Sequence, residues 1–398
     1  MRLVHLSDLH LGFRQYQRCT PSGINQREAD VAGSFQRAIA QIIQLAPDLV
    51  VVGGDVFHAV RPSNPAILHA YRSFAALRDA LPETAVIMVA GNHDAPRTQE
   101  TGCILRLFRE IGIYVADSKP EVFTFPSRDL AVLAVPDVYS IEKPPELVPP
   151  PGFRHNVLVM HAGIQGALPA YLSTPERAAL EVSPAELNAD RWSYVALGHY
   201  HVYQKLDARV FYSGSLDYTS SNVWGERREE TAPGGRGKGF IEHNLVTNKH
   251  KFHDVNPPRL PLDLEPIDAA GLTAAEIDEA IRSVINSVRG GIDDKIIRLQ
   301  VRNVHRHVVR ELDHAAIRDY KRRALHFHLD PRKPDPVARR VGEGAPGRRA
   351  TLPEIVAERL RERTLTPGLD RDQFVSVGMQ YLGRAEEALT AAMPVMED

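Results

Sequence analysis

The stretch Leu49-Val50-Val51-Val52-Gly53-Gly54-Asp55-Val56-Phe57-His58 joins four apolar, mostly β-branched residues to a glycine pair, an aspartate and, three residues on, a histidine. A run this short and apolar, stopped by glycine, predicts a strand buried on both faces and a tight loop that delivers Asp55 to the strand end. Working outward, the same grammar repeats. Leu3–Leu6 runs into Asp8-Leu9-His10, Val86–Val89 into Gly91-Asn92-His93-Asp94, Val157–Met160 into His161, and Tyr194–Leu197 into Gly198-His199-Tyr200-His201, while Ala131–Val135 is a further run of the same kind. Helical stretches lie between the early runs: Val31–Leu45 places Ile39, Ile42 and Ile43 on one face, and a helix after Arg61 is expected to open with Asn64 as N-cap and Pro65 at N1. Alternation of this kind predicts an α/β sandwich whose chemistry sits in the loops at the strand ends.

The residues in those loops are metal donors. Carboxylate, imidazole and amide oxygen suit divalent manganese, iron or zinc, and one carboxylate can bridge two ions about 3.5–4 Å apart. Asp8 and His10, two apart on extended chain, share a side, as do His199 and His201. The expected division is Asp8, His10, Asp55 and His201 on one ion and Asp55, Asn92, His161 and His199 on the other. Water held between such ions ionises near neutral pH and can attack phosphorus. His93 is the candidate to protonate the leaving oxygen, with Asp94 expected to accept its ring N–H; His58 is the candidate to orient a phosphate. Among the 17 histidines, His5, His69, His243 and His250 lack that context and read as core or surface residues.

Composition narrows the class. With 398 residues, 43% hydrophobic and 25% charged, the chain suits a soluble protein of two or three domains. The two cysteines, Cys19 and Cys103, form neither a thiolate zinc pattern nor a disulfide framework, and no apolar run approaches a bilayer span. A cytoplasmic protein is expected. Net charge is −2, yet residues 301–349 carry 13 Lys/Arg against 6 Asp/Glu, an excess suited to backbone phosphates or to an ordinary solvated surface.

Past Asn256-Pro257-Pro258, an amphipathic helix (Ile277, Ile281, Val284, Ile285, Val288) and a strand (Ile296–Val301) predict a small α+β module to about Leu329. The Pro/Gly/Arg-rich residues 330–350 read as a linker. Thr351-Leu352-Pro353-Glu354 fits a capping box, and Phe374, Val377, Tyr381, Leu382, Ala385 and Leu389 form the stripe of another helix. The proline-rich Glu142–Gly152 reads as a surface loop.

The ordered motif set resembles the calcineurin-like metallophosphoesterase superfamily. Gly54-Asp55-Val56-Phe57-His58-Ala59-Val60-Arg61-Pro62-Ser63 is similar to the DNA double-strand-break repair nucleases of the SbcD type. Protein phosphatases of the superfamily carry Gly-Asp-x-x-Asp-Arg-Gly and Gly-Asn-His-Glu; here His58 stands for the second aspartate and Asp94 for the glutamate. The resemblance implies a four-layer β-sandwich phosphoesterase domain over residues 1–255, a DNA-capping α+β domain over 256–329, the linker, and a helical arm over 351–398 that docks on an SbcC-type coiled-coil ATPase. It also implies two Mn2+ ions, with Mg2+, Fe2+ or Zn2+ as alternatives, held by Asp8, His10, Asp55, Asn92, His161, His199 and His201. The implied activity is 3′-to-5′ exonuclease and endonuclease action on duplex ends and hairpins, by a homodimer within a heterotetramer. The rival reading is a stand-alone phosphodiesterase for a small substrate such as a cyclic nucleotide; a non-catalytic scaffold would be expected to lack one of the seven ligands, and none is lacking.

Overall fold

The computed structural model describes residues 1–96, 102–138, 145–167, 180–334, 352–363, 365 and 370–392, which fall in two compact units, Met1–Pro334 and Asp335–Asp398. In the first unit two six-stranded sheets lie face to face. One runs, edge to edge, Lys249–Asp254, Gly239–Asn244, Arg2–Leu6, Leu49–Val52, Ala85–Val89 and Tyr114–Ala116; the other runs Gln204–Lys205, Val210–Tyr212, Tyr194–Gly198, His155–His161, Leu130–Val135 and Glu121–Phe125. The central strands are parallel, Leu3 pairing with Leu49 and Leu49 with Ala85, so their C-terminal ends and following loops gather on one side.

Alternation along each strand makes the layers. Leu3, Leu49, Val51, Ile87 and Val89 meet Val132, Val157, Val159, Ala196 and Phe211 of the opposite sheet. Their neighbours Val4, Leu6, Val50, Val52, Val86 and Met88 face outward onto Val31, Phe35, Ile39 and Ile42 of helix Gln26–Leu45 and onto Ala70, Phe74 and Leu77 of helix Asn64–Ala80. Leu158, Met160, Val195 and Leu197 are covered by Leu147, Leu180, Leu187 and Trp192. The result is the expected four-layer α/β sandwich.

Differences from the sequence reading have local causes. The first helix begins five residues earlier than expected, capped by the Asn25 side chain, because its opening turn is polar yet internal: Arg27 is fully buried between Asp30 (2.9 Å) and Asp217 (2.7 Å). In the second helix Ser63, not Asn64, is the N-cap, its side chain accepting the Ala66 N–H, which moves Asn64 inside the helix.

Residues 261–331 form a smaller four-stranded parallel sheet around Ile296–Arg302, with its own apolar cluster. Helix Ala274–Ser287 lays Ile277, Ile281 and Ile285 on that cluster and opens with a Thr273/Glu276 capping box. The last strand, His326–Pro331, reaches into the segment read as linker, and Arg332 continues the pairing through its N–H to Val301 O at 2.7 Å; residues 335–351 lie outside the described residues. This layer is fastened to the sandwich by the Tyr16–His326 ring stack at 4.1 Å, by Arg18 on the carbonyls of Arg322 (2.5 Å) and Ala324 (3.2 Å), and by an Arg259–Asp30 ion pair. In the second unit, helices Leu352–Glu362 and Arg371–Ala392 pack so closely that a Cβ on Gly378 would stand 2.4 Å from Leu360 Cδ1. Among the described residues no helix is long and apolar enough to cross a membrane.

Candidate metal centre

Four of the expected ligands sit on unusual backbone. Asp8 (φ 54°), His10 (φ 45°), Asp55 (φ 50°) and His199 (φ 105°) all have positive φ without being glycine, a conformation that persists only where neighbours over-determine it. Here the neighbours are the other loops. The chain after Leu6 and the chain after Val52 are laced together by Asp8 N–H to Gly54 O (3.0 Å), His10 N–H to Asp55 O (2.9 Å) and Leu11 N–H to Val56 O (2.9 Å). The Asp8 carboxylate reaches across to the other sheet and accepts the His199 N–H at 3.0 Å. Close approach requires glycine in these loops: a Cβ on Gly54 would stand 2.5 Å from His161 Nδ1, one on Gly91 only 2.1 Å from Asp55 Oδ1, and one on Gly198 1.9 Å from Gly53 O.

The side chains converge. His10 Nε2 lies 3.0 Å from His201 Nε2, and His161 Nε2 lies 3.0 Å from Asn92 Oδ1. Asp55 Oδ2 stands between the two sets, 3.7 Å from His10 Nε2 and 3.5 Å from His161 Nε2, while Asp55 Oδ1 accepts the His93 N–H at 2.9 Å. His199 completes the ring of groups, its imidazole centroid 5.4 Å from that of His161. Donor atoms of Asp8, His10 and His201, of Asp8, Asp55 and His161, and of His10, His58 and His93 lie within 4.8 Å of one another in each group. All seven expected ligands are therefore brought to one place together with His58 and His93, and Asp8 is as central as Asp55.

These donors suit a cation. His161 Nδ1 is committed as donor to the Gly53 carbonyl at 2.8 Å, so Nε2 is left facing two oxygens, Asn92 Oδ1 and Asp55 Oδ2. An added positive charge satisfies all three, whether a proton or a metal ion. Electrostatics agree: burial alone would depress the His161 imidazole, but Asp55, Asp8 and Asp137 raise it above its usual value. His10 is driven the other way, well below the usual imidazole range, by burial and by the rings of His201, His93, His58 and His161. It is neutral near pH 7, with a lone pair to give. Burial raises the Asp55 carboxyl, and Asp8 adds to the effect.

Asp94 does not accept the ring N–H of His93, as its sequence position had suggested. Its carboxylate takes three backbone N–H groups, from Phe57 (2.9 Å), Val56 (3.1 Å) and Gly91 (3.1 Å), and so ties the loop of Asp55 to the loop of Asn92. Burial and then Asp55 push it up to about 7. His93 instead directs Nδ1 to the His58 carbonyl at 2.8 Å, with the two rings stacked 5.3 Å apart. His5 and His243 are buried core residues; His250 is on the surface.

Several residues at the centre escaped the sequence reading. Ser7 Oγ donates to Asp8 Oδ2 at 2.5 Å and lies 2.8 Å from Ser213 Oγ. Glu226 Oε1 lies 3.4 Å from His201 Nδ1, and buried Lys238 sits on Glu226 (2.5 Å) and Glu230 (3.2 Å). Burial would raise the Glu226 carboxyl, but Lys238 and His201 hold it at about 2. The available signal was the spacing of Glu226 and Glu230, four apart on helix Val223–Glu230 and so on one face.

Sequence comparison agrees with this geometry. The calcineurin-like phosphoesterase family matches residues 1–220. The DNA double-strand break repair protein Mre11 of Methanocaldococcus jannaschii is 27% identical over 266 residues, 64% of this chain and 65% of that protein. The Mre11 protein of Sulfolobus acidocaldarius is 27% identical over 301 residues, covering 73% and 72% of the two chains, and that of Methanosarcina acetivorans is 24% identical over 398 residues, covering 89% and 61%. The Methanocaldococcus match thus spans just under two thirds of its relative's length. With the donor-bearing loops in place at the strand ends and the family match covering more than half of its length, the chain belongs to the calcineurin-like phosphoesterase family.

Proposed function

We propose that this protein is a manganese-dependent DNA nuclease, cutting phosphodiester bonds as a 3′-to-5′ exonuclease and endonuclease at duplex ends and hairpins in double-strand-break repair. The observation that carries the reading is the meeting of donors from five separate loops at one point, with Asp55 Oδ2 3.5 Å and 3.7 Å from imidazole nitrogens on either side. DNA as substrate rests on similarity to the archaeal repair proteins, on the basic excess over residues 301–349 and on the small parallel-sheet layer fastened beside the loop that follows His10.

Asp8, His10, Asp55, Asn92, His161, His199 and His201 would hold two divalent ions, Mn2+ by preference with Mg2+, Fe2+ or Zn2+ as substitutes. Such ions supply Lewis acidity and a hydroxide nucleophile at neutral pH. The protein's own part is acid catalysis and placement. His93, its Nδ1 engaged by the His58 carbonyl, has a fixed ring and delivers a proton to the leaving oxygen from Nε2. His58 lies against the same ring and against Phe13 (centroids 4.9 Å apart) and orients the phosphate. Asp94 acts through the loops it ties together, not on the substrate.

In this reading residues 1–255 form the nuclease domain and 256–329 the cap over DNA, while 330–350 link to the arm of 351–398. The exposed Leu352, Ile355, Val377 and Tyr381 of that arm dock on an SbcC-type coiled-coil ATPase, two copies of each chain forming the assembly in the cytoplasm.

The test uses the full chain with Mn2+ and end-labelled linear duplex DNA. His93→Ala is expected to keep metal and DNA binding and lose about 10²–10⁴-fold in cleavage. Asp55→Ala is expected to lose the metals. Turnover of cyclic nucleotide with no cutting of duplex or hairpin DNA would reverse the substrate assignment.

A further inference from the structure

Lys238 is the most deeply buried lysine described, at 2% exposure, and four oxygens surround its ammonium: Glu226 Oε2 (2.5 Å), His201 O (2.8 Å), Ser215 Oγ (3.0 Å) and Glu230 Oε1 (3.2 Å). Two of those contacts converge on one residue. Lys238 holds the backbone of His201 directly and holds the Glu226 carboxylate whose other oxygen faces His201 Nδ1 at 3.4 Å. On the far side of the ring, His201 Nε2 looks at His10 Nε2 across 3.0 Å, inside the cluster of Asp8, His10 and His201.

We infer that Glu226, anchored by Lys238, is a positioning residue that fixes the tautomer and direction of His201, so that Nδ1 carries the hydrogen and Nε2 offers its lone pair to the metal centre. The chemistry follows from the count of donors and acceptors. An imidazole has one N–H when neutral, and the nitrogen facing a carboxylate keeps it. Glu226 can serve two donors at once, one oxygen to Lys238 and one to His201, and carboxylate partners of this kind raise the basicity of a metal-binding histidine. Glu230 is the internal comparison. It is bound to the same ammonium, but its other partners are the Tyr218 hydroxyl (2.6 Å) and Arg227 (3.4 Å) rather than His201.

Glu226→Gln keeps size and shape but leaves a single oxygen. The ammonium at 2.5 Å claims that oxygen, and the amide NH2 is turned toward Nδ1, which favours hydrogen on Nε2 and silences the ligand atom. Glu230→Gln removes the same charge from the same lysine without touching His201. The inference rests on the metal-binding reading above, and the experiment separates the two. Mn2+ binding to metal-stripped full-length protein is measured by isothermal titration, with Co2+ absorption as a second probe and unfolding in EDTA as a check on the fold. Expected is a loss of about 10–100-fold in affinity for one of two ions in Glu226→Gln, with an altered Co2+ spectrum, against unchanged binding in Glu230→Gln. Two ions bound at wild-type affinity by Glu226→Gln, or equal losses in both variants, would overturn the positioning role while leaving the metal centre standing. Wild-type protein that takes up neither Mn2+ nor Co2+ would overturn both.

Discussion

Gly91→Ala tests how tightly the centre is built. The added methyl would stand 2.1 Å from Asp55 Oδ1, 2.5 Å from Asp55 N and 2.8 Å from Asp55 Cγ, each well short of ordinary contact. Neither side can retreat. Asp55 Oδ1 is held by the His93 N–H at 2.9 Å, while Gly91 N–H donates to Asp94 Oδ2 at 3.1 Å and Gly91 O accepts from Asp94 N and Ala95 N. Relief demands a shift of roughly 1 Å in a carboxylate that stands between two imidazoles, and overpacking of this kind costs about 1–3 kcal/mol. A slip of about 1 Å in a reacting group costs about 10²-fold in rate. The assays are denaturant unfolding in EDTA, Mn2+ titration and hydrolysis of bis(p-nitrophenyl) phosphate. Gly33→Ala is the control: it lies within helix Gln26–Leu45 with only Arg37 Nη1 at 3.5 Å, and should stabilise by about 0.5–1 kcal/mol. Unchanged unfolding and metal affinity in Gly91→Ala would refute the close packing of Gly91 against Asp55.

Arg27→Met leaves the buried Asp217 carboxylate without a cation and Asp30 with Arg259 alone, and should cost about 3–5 kcal/mol in denaturant unfolding; a loss below about 1 kcal/mol would show that the ion cluster contributes little. Burial lowers the His5 imidazole from its usual 6.5 to about 3, so the unfolded chain takes up its proton first as pH falls. The sign is therefore a stability present above pH 6.5 that declines from there toward about pH 3, by at most about 1.4 kcal/mol per unit, and His5→Leu should flatten that slope between pH 6 and 4. Mn2+ at about 100 times its Kd should raise stability by about 2.7 kcal/mol in wild-type protein and not in Asp55→Ala; an equal shift in both would move the ion elsewhere.

Local chemistry was enough to reveal the sandwich and most of its centre. Strand runs such as Leu49–Val52 and Tyr194–Gly198 are short, apolar and punctuated by glycine, and each ends within a few residues of a donor, so order along the chain already encodes convergence at one edge. Donor identity is likewise a property of residue type. What the tertiary structure alone decided are the partners that contact order hides. Asp94 follows His93 in sequence but bonds to Val56 and Phe57, 38 and 37 residues away. Arg27, which precedes the helix expected from Val31, meets Asp217 in the interior, 190 residues on. Lys238 and Glu226 look like ordinary surface charges until the fold seals them behind His201. A side chain's type fixes what bonds it can make; which of them it makes depends on what the folded chain brings beside it and on whether water is left to compete.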